Sequence, residues 1–320
     1  PPAKEYFHTE WGAQLTGGSS TTYSEFDRYR KAGATARILL IEAAAKKWNV
    51  KPATLKTANG FVINGSKKLS YGQLAEAASA IKPPAEIPLR KKEEWKYIGK
   101  GVKRLDAPAK VNGSAVFGID VKVDGMKIAV VAHPPVMKGT VKSFDASKAK
   151  AIKGVVDVVQ IPTGIAVIAD NYWAASQGKN ALVVEWNAGE NGAVDSGKQL
   201  EEFKRLADTK GKEKAKGGDV DAAMKKAVKT LEADYTFPYL AHAAMEPLNC
   251  TVKFDGKKCE IWTGTQMPGG DQLAAAKVLG IKPEQISIYT PFLGGAFGRR
   301  ATPDSDFVVE AVEIAKASGK

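Results

Sequence analysis

The stretch Phe292-Leu293-Gly294-Gly295-Ala296-Phe297-Gly298-Arg299-Arg300 offers the densest chemical possibilities in this sequence. Three glycines in five positions strip side chains from a turn, so a ligand can reach the backbone N–H groups. Two arginines follow as fixed positive forks suited to phosphate or carboxylate. A second stretch, from Gln14 to Thr22, sets Gly17 and Gly18 among the hydroxyls of Thr16, Ser19, Ser20 and Thr21. Such a loop can bind an anion without a counter-charge. Each stretch also has a plain reading: a tight turn with surface arginines, and a capping loop with Ser/Thr N-caps. A third candidate is Gln266, whose neutral amide can donate to an oxo or carbonyl oxygen or simply sit on the surface.

Much other chemistry is excluded. The three histidines, His8, His133 and His242, have no zinc-ligand spacing and no Gly-x-Ser-x-Gly partner for a triad. There is neither a Walker A loop nor a Gly-x-Gly-x-x-Gly fingerprint after a strand. His242 and Glu246 stand four apart, but Pro247 argues for a loop and a structural role. Cys250 and Cys259 flank an expected hairpin; they form a cross-strand disulfide or two small buried residues, and do not settle the compartment. The net charge of +12 invites a nucleic-acid reading. The basic residues are scattered among acids, as in Arg90-Lys91-Lys92-Glu93-Glu94, with no recognition helix or RNA-binding signature, so a solvated face or an acidic protein partner fits better.

The elements that must position these residues follow from periodicity. Ile286–Tyr289 reads as a strand entering the glycine turn. Val308, Ala311, Val312 and Ala315 then mark one face of a helix opening at Asp304-Ser305-Asp306. A long helix from Ser24 to Trp48 follows the first loop. A hairpin turns at Asn64-Gly65, and a helix starts near Ser70. Ala115–Val123 and Met126–Ala132 alternate around Asp124-Gly125 as a second hairpin. Further on come strands at 155–161, 165–169 and 182–186, helices at 146–151 and near Trp173, a helix from Val220 to Thr230, and a strand near Tyr235. Strands at 249–254 and 258–263 and a helix from Asp271 to Leu279 complete the reading. The chain divides into segment 1–82, a proline-rich linker 83–96, a mixed domain 97–187, a polar arm 188–218 and a last segment 219–320. At 320 residues, 44% of them apolar, it has two or three domains' worth of chain and no membrane-spanning run. The absent initiator Met and the helical ending at Lys320 suggest a piece of a longer protein.

Three stretches in order, Leu240-Ala241-His242-Ala243-Ala244-Met245-Glu246-Pro247-Leu248-Asn249, then Trp262-Thr263-Gly264-Thr265-Gln266, then Phe292–Arg300, resemble the molybdenum-binding region of the xanthine oxidase family of molybdenum hydroxylases. Arg104–Gly113 running into Phe117-Gly118-Ile119-Asp120 is similar to the start of that family's α/β hammerhead domain. Gln14–Ser19 lying ahead of it matches the branch of isoquinoline 1-oxidoreductase beta subunits and membrane-associated aldehyde dehydrogenases. The resemblance spans essentially the whole chain. It implies an α+β fold in which the hammerhead domain (97–187) sits between two molybdopterin-binding segments.

The resemblance also implies roles. Gln266 would hydrogen-bond an oxygen on molybdenum, with the backbone of Phe297 and Gly298 on the metal's other side. Gly294, Gly295, Arg299 and Arg300 would line the pterin. Gln14, Thr16, Gly17, Gly18, Ser19, Ser20 and Thr21 would hold the phosphates of a molybdopterin cytosine dinucleotide. No side chain would ligate the metal, since the cofactor's dithiolene would. Implied partners are a small [2Fe–2S] subunit, in many relatives a membrane c-type cytochrome, the C-terminal half of the large subunit, and a small-molecule substrate; nucleic acid is not among them. The implied location is the periplasmic side of the cytoplasmic membrane. The implied reaction is water-derived oxidation of an aldehyde or N-heterocycle. The chain departs from the pattern at Ala296, where a third glycine is usual; a methyl fits there only with a negative φ. Ala301 stands where purine-converting relatives carry an acid, which disfavours purines. The general-base glutamate of the family belongs to a Gly-Glu motif in the far C-terminal half, so this fragment would not turn over alone. The rival reading is a non-catalytic basic binding module that keeps the fold.

Overall fold

Three runs of the chain carry enough regularly spaced apolar residues to bury a face, and each builds its own core in the computed structural model, which describes residues 2–320. The first run folds as α1 (Ser20–Ser24), α2 (Phe26–Trp48), the antiparallel strands β1 (Lys56–Ala58), β2 (Phe61–Asn64) and β3 (Lys67–Ser70), and α3 (Tyr71–Ser79). The α2 face made by Ile41, Ala43, Ala44 and Ala45 packs on Leu55, Val62, Leu74 and Ala78. Ser70 starts α3 with a capping box: its hydroxyl accepts from Gln73 N, and the Gln73 side chain accepts from Ser70 N. The long helix expected from Ser24 instead breaks at Glu25, and the separate turn α1 follows the glycine loop directly.

The middle run gives α4 (Ala107–Val111), β4 (Ile128–Ala132), β5 (Thr140–Asp145), α5 (Ser147–Lys150), β6 (Val155–Ile161), β7 (Gly164–Ala169), α6 (Tyr172–Ala181) and β8 (Val183–Asn187). β7 lies between β4 and β6, antiparallel to both, and all six of its residues are buried, as a central strand's continuous apolar run requires. β5 and β8 pair separately. The hairpin expected from Ala115 to Ala132 does not form. Only β4 is a strand, and it joins β7. The segment before it is claimed elsewhere: Phe117 bridges to Phe292, and the Ile119 amide donates to Glu246. Local alternation loses here to long-range partners.

After α7 (Ser196–Ala207) and α8 (Val220–Lys226), the last run forms β9 (Thr251–Phe254), β10 (Cys259–Trp262), α9 (Pro268–Leu279), β11 (Ile286–Tyr289) and α10 (Asp306–Ser318). β10 is central, antiparallel to β9 and parallel to β11, with α9 as the crossover. Gly280 ends α9 at φ 69°. Cys259, Ile261, Ile286 and Ile288 of this sheet pack under Ala275 and Ala276 of α9 and Val308 and Val312 of α10. Both cysteines are free thiols, and burial pushes Cys259 up to about 12, so it stays protonated. Glu310 of α10 reaches the middle run: its Oε2 lies 2.7 Å from His133 Nε2 and accepts from Thr163 Oγ1 at 2.6 Å. The helix expected to Thr230 stops at Lys226, and the strand expected near Tyr235 is absent. Among the described residues no helix is long and apolar enough to cross a membrane.

The mixed helix-and-sheet fold thus rests on small cores, which makes single truncations costly. Ile261→Ala, fully buried on β10, is expected to lower unfolding free energy by about 3 kcal/mol. Leu273→Ala, on the exposed face of α9, should change it by no more than about 0.5 kcal/mol. Urea denaturation of both variants checks the contrast.

Candidate functional site

The end of β10 and the end of β11 lie side by side because the two strands are parallel, so Thr263–Met267 and Pro291–Arg300 emerge at one edge of the sheet. Gln266 is the meeting point. Its backbone N–H donates to the Arg300 carbonyl at 3.0 Å. Its side-chain Oε1 accepts from the Gly298 amide at 3.2 Å. Its carbonyl accepts from the Thr16 amide at 2.8 Å, and its Nε2 donates to the Thr16 carbonyl at 2.7 Å. The two glycine-rich bends, some 280 residues apart in sequence, therefore share one glutamine (positions 16 and 298 both touch 266).

The turn that carries Gln266 is itself pinned. Thr265 Oγ1 donates to the buried Asp271 carboxyl in the first turn of α9 and accepts from the Met267 amide at 2.9 Å. Burial pushes the Asp271 carboxyl above its ordinary range, with the Thr265 hydroxyl opposing that rise.

Beneath the later bend lies a buried ion pair. Arg300 is 1% exposed, and its Nη2 lies 3.0 Å from Glu246 Oε2. The guanidinium also donates to the carbonyls of Gly295 (2.9 Å), Gly264 (3.1 Å) and Glu246 (3.1 Å). Glu246 accepts from the amides of Gly294 (2.8 Å) and Ile119 (3.0 Å) and from Asn249 Nδ2 (3.0 Å). Burial alone would raise the Glu246 carboxyl. The Gly294, Asn249 and Ile119 donors and the Arg300 charge outweigh it and hold the group below the usual carboxylate range. A Cβ at Gly294 would overlap Glu246 Cβ, so the chain can lie this close only as glycine.

The expectation that both arginines present free forks is corrected. Arg300 is spent inward as described, and Arg299 forms a two-pronged pair with Asp306 of α10 at 3.0 and 2.7 Å. Neither is a free surface arginine. What the bend does offer is backbone. The amides of Gly295, Ala296 and Phe297 have no hydrogen-bond partner among the described residues. Gly295, Phe297 and Gly298 take φ of 108°, 53° and 95°, while Ala296 does not enter the positive region that its methyl would resist. Phe297 holds a left-handed conformation that costs an aromatic residue about 1–2 kcal/mol, a local strain of the kind that collects at ligand-binding turns.

In the earlier bend, the amides of Gly17, Gly18 and Ser19 are likewise without a partner among the described residues. Gly18 and Ser19 follow at φ 58° and 54°. Behind them stands Trp11, stacked on His8 at 4.3 Å between ring centroids; a Cβ on Gly17 or Gly18 would touch its indole. The hydroxyls do not all face outward. Ser20 is buried and donates to the Gly17 carbonyl at 2.8 Å, whereas Thr16, Ser19 and Thr21 are exposed. The Gln14 side chain is engaged by the N-terminal segment: its Oε1 accepts from the Ala3 amide, and it borders a groove with Tyr6, Trp262 and Tyr289. Trp11, Asp271, Ile119 and Arg300's inward role escaped sequence reasoning.

Because the Glu246 carboxyl titrates lower in the folded chain than in the unfolded one, its stabilisation is complete above the ordinary glutamate range and is lost as pH falls through the lowered value. Glu246→Gln should cost about 3 kcal/mol at pH 7 by leaving Arg300 buried and unpaired. Thermal unfolding of both proteins from pH 7 to pH 3 should show the wild-type advantage shrinking on acidification.

Residues 203–320 match the family model for the molybdopterin cofactor-binding domain. The chain is 32% identical to the isoquinoline 1-oxidoreductase subunit beta of Brevundimonas diminuta, over 97% of this chain and 45% of that one. It is also 32% identical to the membrane-bound aldehyde dehydrogenase [pyrroloquinoline-quinone] of Gluconacetobacter polyoxogenes, over 97% of this chain and 42% of that one. Among solved structures, quinoline 2-oxidoreductase from Pseudomonas putida 86 superposes with a TM-score of 0.52 at 16% identity, covering 69% of this chain and 34% of that one, a likeness of fold. The chain spans less than half the length of each of these relatives. With Glu246 of the first motif paired to Arg300 of the third, and Gln266 of the second bonded to Arg300 and Gly298, it belongs to the xanthine oxidase family of molybdenum hydroxylase large subunits.

Proposed function

We propose that this chain forms one wall of the cofactor cleft of a molybdenum hydroxylase, and that the whole protein oxidises an aldehyde or an N-heterocycle with oxygen drawn from water. The observation that carries the reading is the convergence of two donor-lined bends on Gln266. The donor set fits the group. Six backbone amides, those of residues 17–19 and 295–297, are available to anionic oxygens, and the Glu246 carboxylate beneath them is buried against Arg300, where it does not repel an anion. When bound, the cofactor would supply the two-electron redox chemistry. Gln266 would help hold it: Thr16 takes one of the two Nε2 hydrogens, which leaves the other for a ligand oxygen. The backbone at Phe297 and Gly298 would lie on the metal side, Gly294 and Gly295 on the pterin side, and Thr16–Thr21, with Gln14 beside them, on the phosphates of a cytosine dinucleotide. Arg299 and Arg300 would act by holding the bend rather than by touching the ligand.

Residues 97–187 are proposed as the hammerhead domain, with 1–82 and 219–320 as the flanking cofactor-binding segments. The general base would come from the remainder of the large subunit. Electrons would pass to a small [2Fe–2S] subunit and on to a membrane c-type cytochrome, with the assembly on the periplasmic face. The binding-module alternative has no observation in its favour.

The test is the content of the full-length subunit isolated with its partner. Equimolar molybdenum and cytidine monophosphate after acid hydrolysis are expected. Neither, or pyrroloquinoline quinone in their place, overturns the reading. Gln266→Ala should lower bound molybdenum or activity by roughly 10–100-fold, the usual effect of removing a group that orients a metal centre.

A further inference from the structure

The strand expected near Tyr235 is missing for want of a neighbour, not for want of pattern. From Thr230 to Tyr239 the sequence alternates: Leu231, Ala233, Tyr235, Phe237 and Tyr239 on one side, Thr230, Glu232, Asp234, Thr236 and Pro238 on the other, with Leu240 ending the pattern. That is the signature of a strand with one face in a core and one in water. Yet all of it is exposed, with Leu231 and Phe237 each 84% accessible. No backbone group from Val228 to Met245 hydrogen-bonds to the protein among the described residues. Every residue from Val228 to His242 keeps a negative φ, so nothing in the backbone forbids an extended strand.

We propose that Thr230–Leu240 is a docking strand for the remainder of the large subunit, pairing with a strand of that polypeptide and laying its aromatic face on that polypeptide's core. This rests on the functional reading above. The occupant follows from three facts. More than half of each 32%-identical relative has no counterpart in this chain, so in those relatives there is polypeptide of sufficient size to cover such a face. The segment lies inside the region matched by the cofactor-binding domain model, where a core is expected. An uncharged face of five consecutive alternate positions has the composition of a domain interior rather than of the polar rim between separate subunits.

The edge used is also specified. N–H groups of alternate residues point to opposite edges of a strand, and Pro238 has none. The edge formed by the even-numbered residues therefore lacks a donor, while that formed by Leu231, Ala233, Tyr235, Phe237 and Tyr239 is complete; pairing runs through the odd-numbered amides. Docking there would also steady the cofactor cleft. The strand runs straight into His242-Ala243-Ala244, where a Cβ on Gly295 would meet Ala244 at 3.3 Å, and then into Glu246.

Residue-resolved hydrogen exchange on the full-length subunit, purified without its partner, tests this against a synthetic peptide of residues 229–241. Amides 231, 233, 235, 237 and 239 should exchange roughly 100-fold or more slowly than in the peptide, and more slowly than 232, 234 and 236. Phe237→Lys should abolish the protection, and Thr236→Lys should keep it. Peptide-like exchange in a subunit that carries molybdopterin overturns this proposal alone. Protection in a subunit without molybdopterin supports the docking and sinks the functional reading instead. Protection that disappears on dilution, together with dissociation of a dimer, assigns the strand to a second copy and overturns the proposal.

Discussion

The ion pair between Glu246 and Arg300 is the constraint on which the site depends. It is buried, so its partners have no water to fall back on, and removal of either would leave a charge uncompensated. Its value lies less in the pair itself than in what the two side chains hold. Glu246 takes the amides of Ile119 and Gly294, and Arg300 takes the carbonyls of Gly264 and Gly295. Segments from three distant parts of the chain are thereby fixed to one charged centre. Glycine at position 294 is the steric condition for that closeness.

From this foundation the cleft is assembled by backbone rather than by side chains. Arg300 offers its carbonyl to the Gln266 amide, and Gln266 bonds to both Thr16 and Gly298. The parallel pairing of β10 and β11 makes this geometry possible, since it brings two strand ends to the same edge. The left-handed residues Ser19 and Phe297 sit in the two bends whose amides have no partner among the described residues. A ligand that bridges both sets of amides meets donors and few competing acceptors. That is the logic of anion recognition by main-chain nests.

Much of this was legible in the sequence. The strand at 286–289, the glycine turn and the helix after Ser305 stand out because their periods are local, and so does the helix that starts near Ser70. Family motifs fixed the order of the pieces. What could not be read was decided by partners far away in the chain. The hairpin pattern at 115–132 was overridden when Phe117 and Ile119 were captured by Phe292 and Glu246. Charge alone could not tell that Arg300 turns inward, because a buried arginine and an exposed one look alike until the carboxylate that meets it, 54 residues earlier, is placed.

The central claim is that the bends at 17–19 and 295–297 grip one ligand between them. Amide hydrogen exchange at those six residues, compared between cofactor-loaded and cofactor-stripped full-length subunit, measures this most directly. The account predicts that both bends become protected together on loading. Protection of one bend with the other unchanged, or of neither in a subunit whose molybdenum content is full, would contradict it.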